Sequence, residues 1–366
     1  MKIILYIGHH KVGSTALQNY FAQNWLKFVQ SGILYPAVET KGFANNLKKA
    51  LGAGDQVEDL HFNVKEPHSA LAYRMMTDVS PRPIPPQFEA VPGLPQMFNA
   101  IRNQVEALQP HTLVLCSEAF ANFGQVGASL IQRLLGNLPE ADELQVYCAL
   151  RRPDTYLMSW HGQRLKVGEK AGLLQENGLA QYFDGIHFNY RTLLAPWLEE
   201  IEPNQLILRN YSDILAEGGS TEDFAKLTGL NLPENLTQPT RANPSLPRSA
   251  YSIMYHANDD LNDGLAHQLS VYLQHNGKAL SPVKDADVEL FGSEQRAKMR
   301  RKFAPIHRYL GEIAGCPSFF PDINAVGKVL PVPERDAGRQ LLDALLCEDL
   351  PNEDIVNYLK QLQQKF

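Results

Sequence analysis

Lys11, Gly13, Ser14 and Thr15, near the start of the chain, have the types and spacing to bind a tetrahedral anion. They follow an apolar run, Lys2-Ile3-Ile4-Leu5-Tyr6-Ile7-Gly8, and precede a helix-forming run that begins Ala16-Leu17-Gln18. The expected elements are a buried strand, a tight loop and a helix N-terminus. Such an N-terminus offers free N–H groups and partial positive charge, so it attracts anions. Gly13 permits close backbone approach. Lys11 adds a cation, Ser14 and Thr15 add hydroxyl donors, and Val12 completes the loop. A phosphate or sulfate at the carboxyl end of the first strand is the expected ligand, since open α/β sheets bind ligands there. The order is not that of a Walker A loop, in which Gly and four residues precede Gly-Lys-Ser/Thr. Here Lys11 precedes Gly13, and Val12 stands where a magnesium-binding hydroxyl would be. The same residues also suit an ordinary strand-to-helix turn with Ser14 as N-cap.

A second cluster is Val146-Tyr147-Cys148-Ala149-Leu150-Arg151-Arg152-Pro153, followed by Ser159 eight residues after Arg151. A buried strand ends at Arg151, and Pro153 suits the first turn of a helix. An Arg at a strand end and a Ser two turns along the next helix can grip one phosphate. An ion-paired Arg at a plain strand–helix junction is the other use of this pattern. Histidines supply candidates for proton transfer. His10 lies in the anion loop itself, and His68, in Glu66-Pro67-His68-Ser69, is a candidate to project into an acceptor site.

The strand, the Lys-x-Gly-Ser-Thr loop and the Arg-to-Ser spacing together resemble sulfotransferases that use 3′-phosphoadenosine 5′-phosphosulfate (PAPS), bacterial in style. The resemblance spans roughly residues 2–245. It implies a phosphosulfate loop over Lys11, Val12, Gly13, Ser14 and Thr15, and a 3′-phosphate motif of Arg151 with Ser159. Leu206-Ile207-Leu208-Arg209-Asn210-Tyr211 is similar to the family's strand that ends in Tyr, which puts Tyr211 near the adenine. Arg241-Ala242-Asn243-Pro244-Ser245 is similar to the last nucleotide loop of bacterial members, with Arg241 closing over the 3′-phosphate. Leu113-Val114-Leu115-Cys116-Ser117-Glu118 matches by position the family's base-bearing strand, which implies Glu118 as general base. Two departures stand out. Ala119 occupies the place of a Lys in enzymes with a Glu base, and Cys116 the place of a Lys in those with a His base. The base role is therefore open between Glu118 and a histidine. The activity implied is transfer of a sulfuryl group from PAPS to an acceptor hydroxyl, of a carbohydrate or glycolipid, leaving 3′-phosphoadenosine 5′-phosphate (PAP), with no metal required. A P-loop-type kinase using ATP, and a non-catalytic nucleotide-binding protein on the same fold, are the alternatives.

The elements that must position these residues are legible as five apolar segments without clean alternation. They are Ile3 to Gly8, Ile33 to Tyr35, Thr112 to Cys116, Gln145 to Leu150 and Gln205 to Leu208. Such runs read as parallel strands covered on both faces. Helical patterns between them, at 14–30, 96–108, 126–135 and 190–200, predict a three-layer α/β/α arrangement around a central parallel sheet, the P-loop-like sulfotransferase fold that the resemblance implies. The pattern weakens over 37–95, which is Pro-rich from Pro81 to Pro95 and reads as an insertion over the strand ends, an acceptor lid or a plain loop. Residues 1–245 are expected to form the core and 246–366 a helical region packed on it.

The chain has 366 residues and a net charge of −6, from 34 basic and 40 acidic residues, which argues against bulk nucleic-acid binding. The four cysteines show no zinc spacing, and Cys116 and Cys148 read as buried thiols of a reducing compartment. No signal-peptide pattern and no transmembrane stretch is present, so a cytoplasmic location is expected. The oligomeric state is not legible.

Overall fold

The structure, a computed structural model, describes residues 1–366 except 54–60, 81–82, 89, 239–243, 349 and 351. Five parallel strands form the central sheet: β1 (Lys2–Tyr6), β2 (Ile33–Leu34), β3 (Thr112–Cys116), β4 (Glu143–Leu150) and β5 (Leu206–Asn210). Their order is β2-β3-β1-β4-β5. The five apolar runs therefore form the five strands, and the chain is an α/β protein with a central parallel sheet. β1 and β3 are apolar at nearly every position because both faces are covered; Ile4, Leu5, Val114, Leu115 and Cys116 have no exposed surface.

β1 lies in the middle, with β3 on one side and β4 on the other. The chain leaves β1 toward the β2 edge and leaves β3 toward the β5 edge. Right-handed crossovers then send the two connections to opposite faces of the sheet. A crevice opens between the carboxyl ends of β1 and β3, the usual location of a ligand in such a sheet. Backbone pairing continues past β1, since the N–H groups of Ile7 and His9 donate to the carbonyls of Tyr147 and Ala149, each at 2.9 Å. The segment that leads from β1 to Lys11 is thus held against β4.

One face of the sheet packs an aromatic core. Tyr6 stacks on Tyr147 at 5.5 Å, and Phe21 stacks on Tyr35 at 5.3 Å. A buried charge sits at its edge. Asp223, on the helix Ser220–Thr228, has no exposure; it accepts from the Tyr147 hydroxyl and forks with the guanidinium of Arg209. These contacts fasten the helix to β4 and β5.

Two compact units divide the chain. The first comprises 1–151, 190–242 and 310–319, and contains the sheet; the second comprises 152–189, 243–309 and 320–366. The expected boundary near residue 245 gives way to this interleaved division. The reason lies in the helix Pro153–Lys166, whose carbonyls are claimed by the C-terminal helices. Tyr251 donates to Met158 O at 3.0 Å, Asn258 to Leu165 O at 2.9 Å and Ser270 to Lys166 O at 2.9 Å. The second unit has its own buried ion cluster, in which Arg296, 1% exposed, binds both oxygens of Glu289 and lies 3.8 Å from Asp154. Its last helix buries Ile355, Leu359 and Leu362, so that stripe is core.

Segment 37–95 differs from the irregular insertion expected. It holds the helices Thr40–Ala50, Phe62–Lys65 and Pro67–Val79, the last with Ala70, Leu71, Ala72 and Met75 buried. Its period was obscured because Pro67 starts the helix, where a missing N–H costs nothing, and polar His68 and Ser69 are buried beside it.

Removing one partner of a buried ion pair leaves an uncompensated charge. Arg209→Ala is expected to destabilise the protein by about 3 kcal/mol in denaturant titration. Arg209→Ala with Asp223→Asn should recover much of that loss, and equal stability of wild type and Arg209→Ala would rule the interaction unimportant.

Candidate functional site

The loop that follows β1 is built from two left-handed residues. Lys11 has φ 60° and Gly13 φ 88°, the latter at the N-cap position of the helix Ser14–Gln23. Ser14 is the first helical residue and makes no side-chain cap, so the N-cap role expected for it falls to Gly13. Only glycine fits there: a Cβ on Gly13 would lie 2.1 Å from the Ser220 hydroxyl oxygen, besides the strain of positive φ. Ser220 in turn donates to Val12 O at 3.3 Å. Val12 is fully buried and anchors the loop, whereas Lys11 and Gly13 are half-buried and Thr15 is exposed. No acidic residue occupies the first turn of the helix, so its N–H groups face no side-chain carboxylate of their own turn.

Arg151 and Tyr211 meet this loop. The Arg151 guanidinium donates to Lys11 O at 3.4 Å and lies over the Tyr211 ring at 5.4 Å. Tyr190 donates to Arg151 O at 2.7 Å and steadies the turn behind it. Tyr211 is half-buried at the start of the helix Tyr211–Ala216, next to β5. Three separately read segments, the loop, the end of β4 and the end of β5, therefore converge on one surface. Ser159 lies on the helix Pro153–Lys166 of the second unit, half-buried, while Arg151 closes the first segment of the first unit. Arg241 lies outside the described residues.

The crevice between β1 and β3 carries the proton-transfer candidates. Glu118 begins a short 3-10 helix after β3, and its Oε2 accepts from Gln18 Nε2 at 3.1 Å. The same Gln18 nitrogen donates to Cys116 O at 3.2 Å, so one amide on the Ser14–Gln23 helix bridges β1's helix to β3's end. Gln18 is fully buried and its Oε1 has no partner. His10 is nearly buried, with its Nε2 3.5 Å from Asn122 Nδ2. Its backbone N–H donates to His9 Nδ1 at 2.7 Å, which places the ring proton of a neutral His9 on Nε2. Burial lowers the pKa of His10, against the pull of the Glu118 charge, and the Lys11 ammonium lowers it further. His10, Glu118 and Lys11 thus sense one another's charge.

His68 does not project into an acceptor site. It is fully buried, its Nδ1 accepts from the Cys116 N–H at 3.0 Å, and its Nε2–H donates to Pro36 O at 3.1 Å. Both nitrogens are spent on backbone, and burial pushes its pKa down to about 3. His68 is a neutral spacer that ties the Pro67–Val79 helix to β3.

Its neighbour Glu66 is the residue that sequence reasoning missed. Burial and the nearby charge of Glu118 raise its pKa to about 8, against a hydrogen bond from Ser69 that lowers it. Ser69 also bonds to Ser117 at 2.8 Å, and Ser117 accepts from the Ala119 N–H at 3.0 Å. The two carboxyls, Glu66 and Glu118, therefore lie near enough for their charges to interact. A Glu directly before a Pro at a helix start was the available signal, but nothing local tied it to Glu118. Gln18 and Asn122 were missed for the same reason.

The sign of the Glu66 linkage is definite. Its folded-state pKa lies above the ordinary 4.5, so the stability it contributes is complete below that value and is lost as pH rises through about 8. The buried histidines act at the other end, contributing stability above about pH 6.5 that is lost as pH falls. Stability should therefore decline between about pH 6.5 and 8, and Glu66→Gln should flatten that decline in denaturant titrations at several pH values. An unchanged slope would show that Glu66 is not buried as described.

Compared with known proteins, the sequence matches no family model, no curated protein matches it, and no solved structure matches its fold.

Proposed function

We propose that this protein is a sulfotransferase that moves a sulfuryl group from PAPS to an acceptor hydroxyl, on the P-loop-like sulfotransferase fold. One observation carries the reading. The Lys11–Thr15 loop, Arg151 and Tyr211 converge at the end of β1, and Glu118 stands across the adjacent crevice on the Gln18 bridge. An anion-binding surface beside a carboxylate is the arrangement that group transfer from a phosphosulfate to a hydroxyl requires.

The residues suit the nucleotide. Close backbone approach is available because Gly13 lacks a Cβ, and Lys11, with the N–H groups of Gly13, Ser14 and Thr15, supplies positive charge for the 5′-phosphosulfate. Arg151 supplies forked donors for a second phosphate, with its back against the Tyr211 ring. PAPS, when bound, supplies an activated sulfuryl group and a phosphate leaving group. Glu118 takes the proton of the acceptor hydroxyl as its oxygen attacks sulfur. The bond from sulfur to the bridging oxygen breaks in line, and the electron pair stays with PAP. Lys11 stabilises the charge that grows on that oxygen, a preorganised electrostatic role. His10, between Lys11 and Glu118 in charge contact, is placed to relay or orient the proton. A carbohydrate or glycolipid hydroxyl is the acceptor this Glu-type base suits.

Thermal stabilisation by PAP, without magnesium, is the direct test. It should be lost in Arg151→Ala, and Lys11→Ala should cut sulfuryl transfer by about a hundredfold. Activity should survive EDTA. Stabilisation by ADP with magnesium instead would point to a kinase. PAP binding without transfer to any acceptor would mark a nucleotide-binding protein, for which Ala119 in place of a cation gives a reason.

A further inference from the structure

The buried stripe of the helix Ser14–Gln23 includes Ser14, Leu17, Gln18 and Phe21, the spacing of a core-facing side. Leu17 and Phe21 have no exposed surface, and neither has Gln18 between them. By its place in the stripe, position 18 calls for an apolar side chain. The amide found there is only partly satisfied. Its Nε2 donates to Cys116 O at 3.2 Å and to Glu118 Oε2 at 3.1 Å, while Oε1 has no hydrogen-bond partner among the described residues. Both neighbours are acceptors, so only the NH2 end of the amide can face them. An unmet buried acceptor costs stability that an apolar residue would not. Packing alone therefore gives no reason for an amide at this position.

The two hydrogens on Nε2 have unlike partners. Cys116 O belongs to β3, whose register with β1 is fixed by five residue pairs. That bond orients the amide against a rigid strand. Glu118 is half-buried and movable by comparison, and it is subject to opposed forces: its charge interacts with the His10 ring and with the Glu66 carboxyl. The second hydrogen settles where its Oε2 stands. Gln18 follows Ser14 by four residues, about 6 Å along the axis and on the same face. The amide that holds the carboxylate and the N–H groups next to Gly13 thus belong to one helix.

We propose that Gln18 is a positioning residue for Glu118 in sulfuryl transfer. It holds Oε2, which leaves Oε1 to take the acceptor proton as the acceptor oxygen bonds to sulfur and the electron pair of the breaking S–O bond leaves with PAP. Gln18 itself touches no reacting atom. Resting on the sulfotransferase reading, this role deepens it: the helix that presents the phosphosulfate loop also sets the place of the base, so donor and base are aligned by one element.

The test is a double-mutant cycle of Gln18→Met and Glu118→Gln in the full chain, read in two ways. The first needs no substrate. In urea titrations the two substitutions should be non-additive, because they remove the same hydrogen bond. Additive losses would overturn the inference whether or not transfer is seen. The second is turnover of PAPS with p-nitrophenyl glycosides as acceptors. Gln18→Met should lower kcat about tenfold or more, leaving KM for PAPS and stabilisation by PAP unchanged. In the Glu118→Gln background it should have no further effect. A kcat equal to that of wild type, or the same fold-loss in both backgrounds, would overturn the role, the latter marking a purely structural residue. Non-additive stability in a protein that transfers no sulfuryl group would instead overturn the sulfotransferase reading, and the role in transfer with it. Gln18→Leu replaces Gln18→Met should the latter not fold.

Discussion

A single buried carboxylate, that of Asp223, holds the geometry on which the Lys11–Thr15 loop depends. It has no access to water, so it must be satisfied by protein donors, and Tyr147 and Arg209 supply them from two adjacent strands. The helix that carries it starts at Ser220, whose hydroxyl reaches Val12 O and fills the space left by the missing Cβ of Gly13. The loop's left-handed turns are thereby supported from outside, by a helix that the ion pair keeps in register. Strain in the Lys11 backbone persists because the surroundings over-determine the turn.

Around that loop the charges separate into two territories. Cations, Lys11 and Arg151, gather at the helix N-terminus, where the backbone is also electropositive. Carboxyls, Glu118 and Glu66, gather beside β3, where burial and the Glu118 charge make ionisation of Glu66 costly. The Gln18 amide and the His10 imidazole occupy the boundary.

The strands were legible because a parallel strand covered on both faces must be apolar throughout, and Ile3 to Tyr6 and Thr112 to Cys116 are. The turn at Gly13 and the strand end before Arg151 were legible because a glycine-containing or charged run directly after an apolar strand marks where the strand stops. What stayed hidden was tertiary. His68 was read as an acceptor-site residue, yet its two nitrogens are fixed by Pro36 and Cys116, partners that only the folded chain brings near. Glu66 and Glu118 lie far apart in sequence, so their shared charge has no local signature. The helix Thr40–Ala50 escaped the pattern because its apolar face is not the one it buries.

The interleaving of the two units has a consequence for the order of synthesis. The first unit, with the sheet and the Lys11–Thr15 loop, includes Leu310–Phe319, which leaves the ribosome long after β5. The second unit needs 152–189, made between β4 and β5, together with the C-terminal helices. Neither unit is a contiguous stretch, and an amino-terminal fragment ending near residue 245 lacks part of the first unit and strands the Pro153–Lys166 helix without its partners. The nascent chain must therefore carry an incomplete first unit until residues 310–319 have been made, a state in which chaperone capture competes with completion.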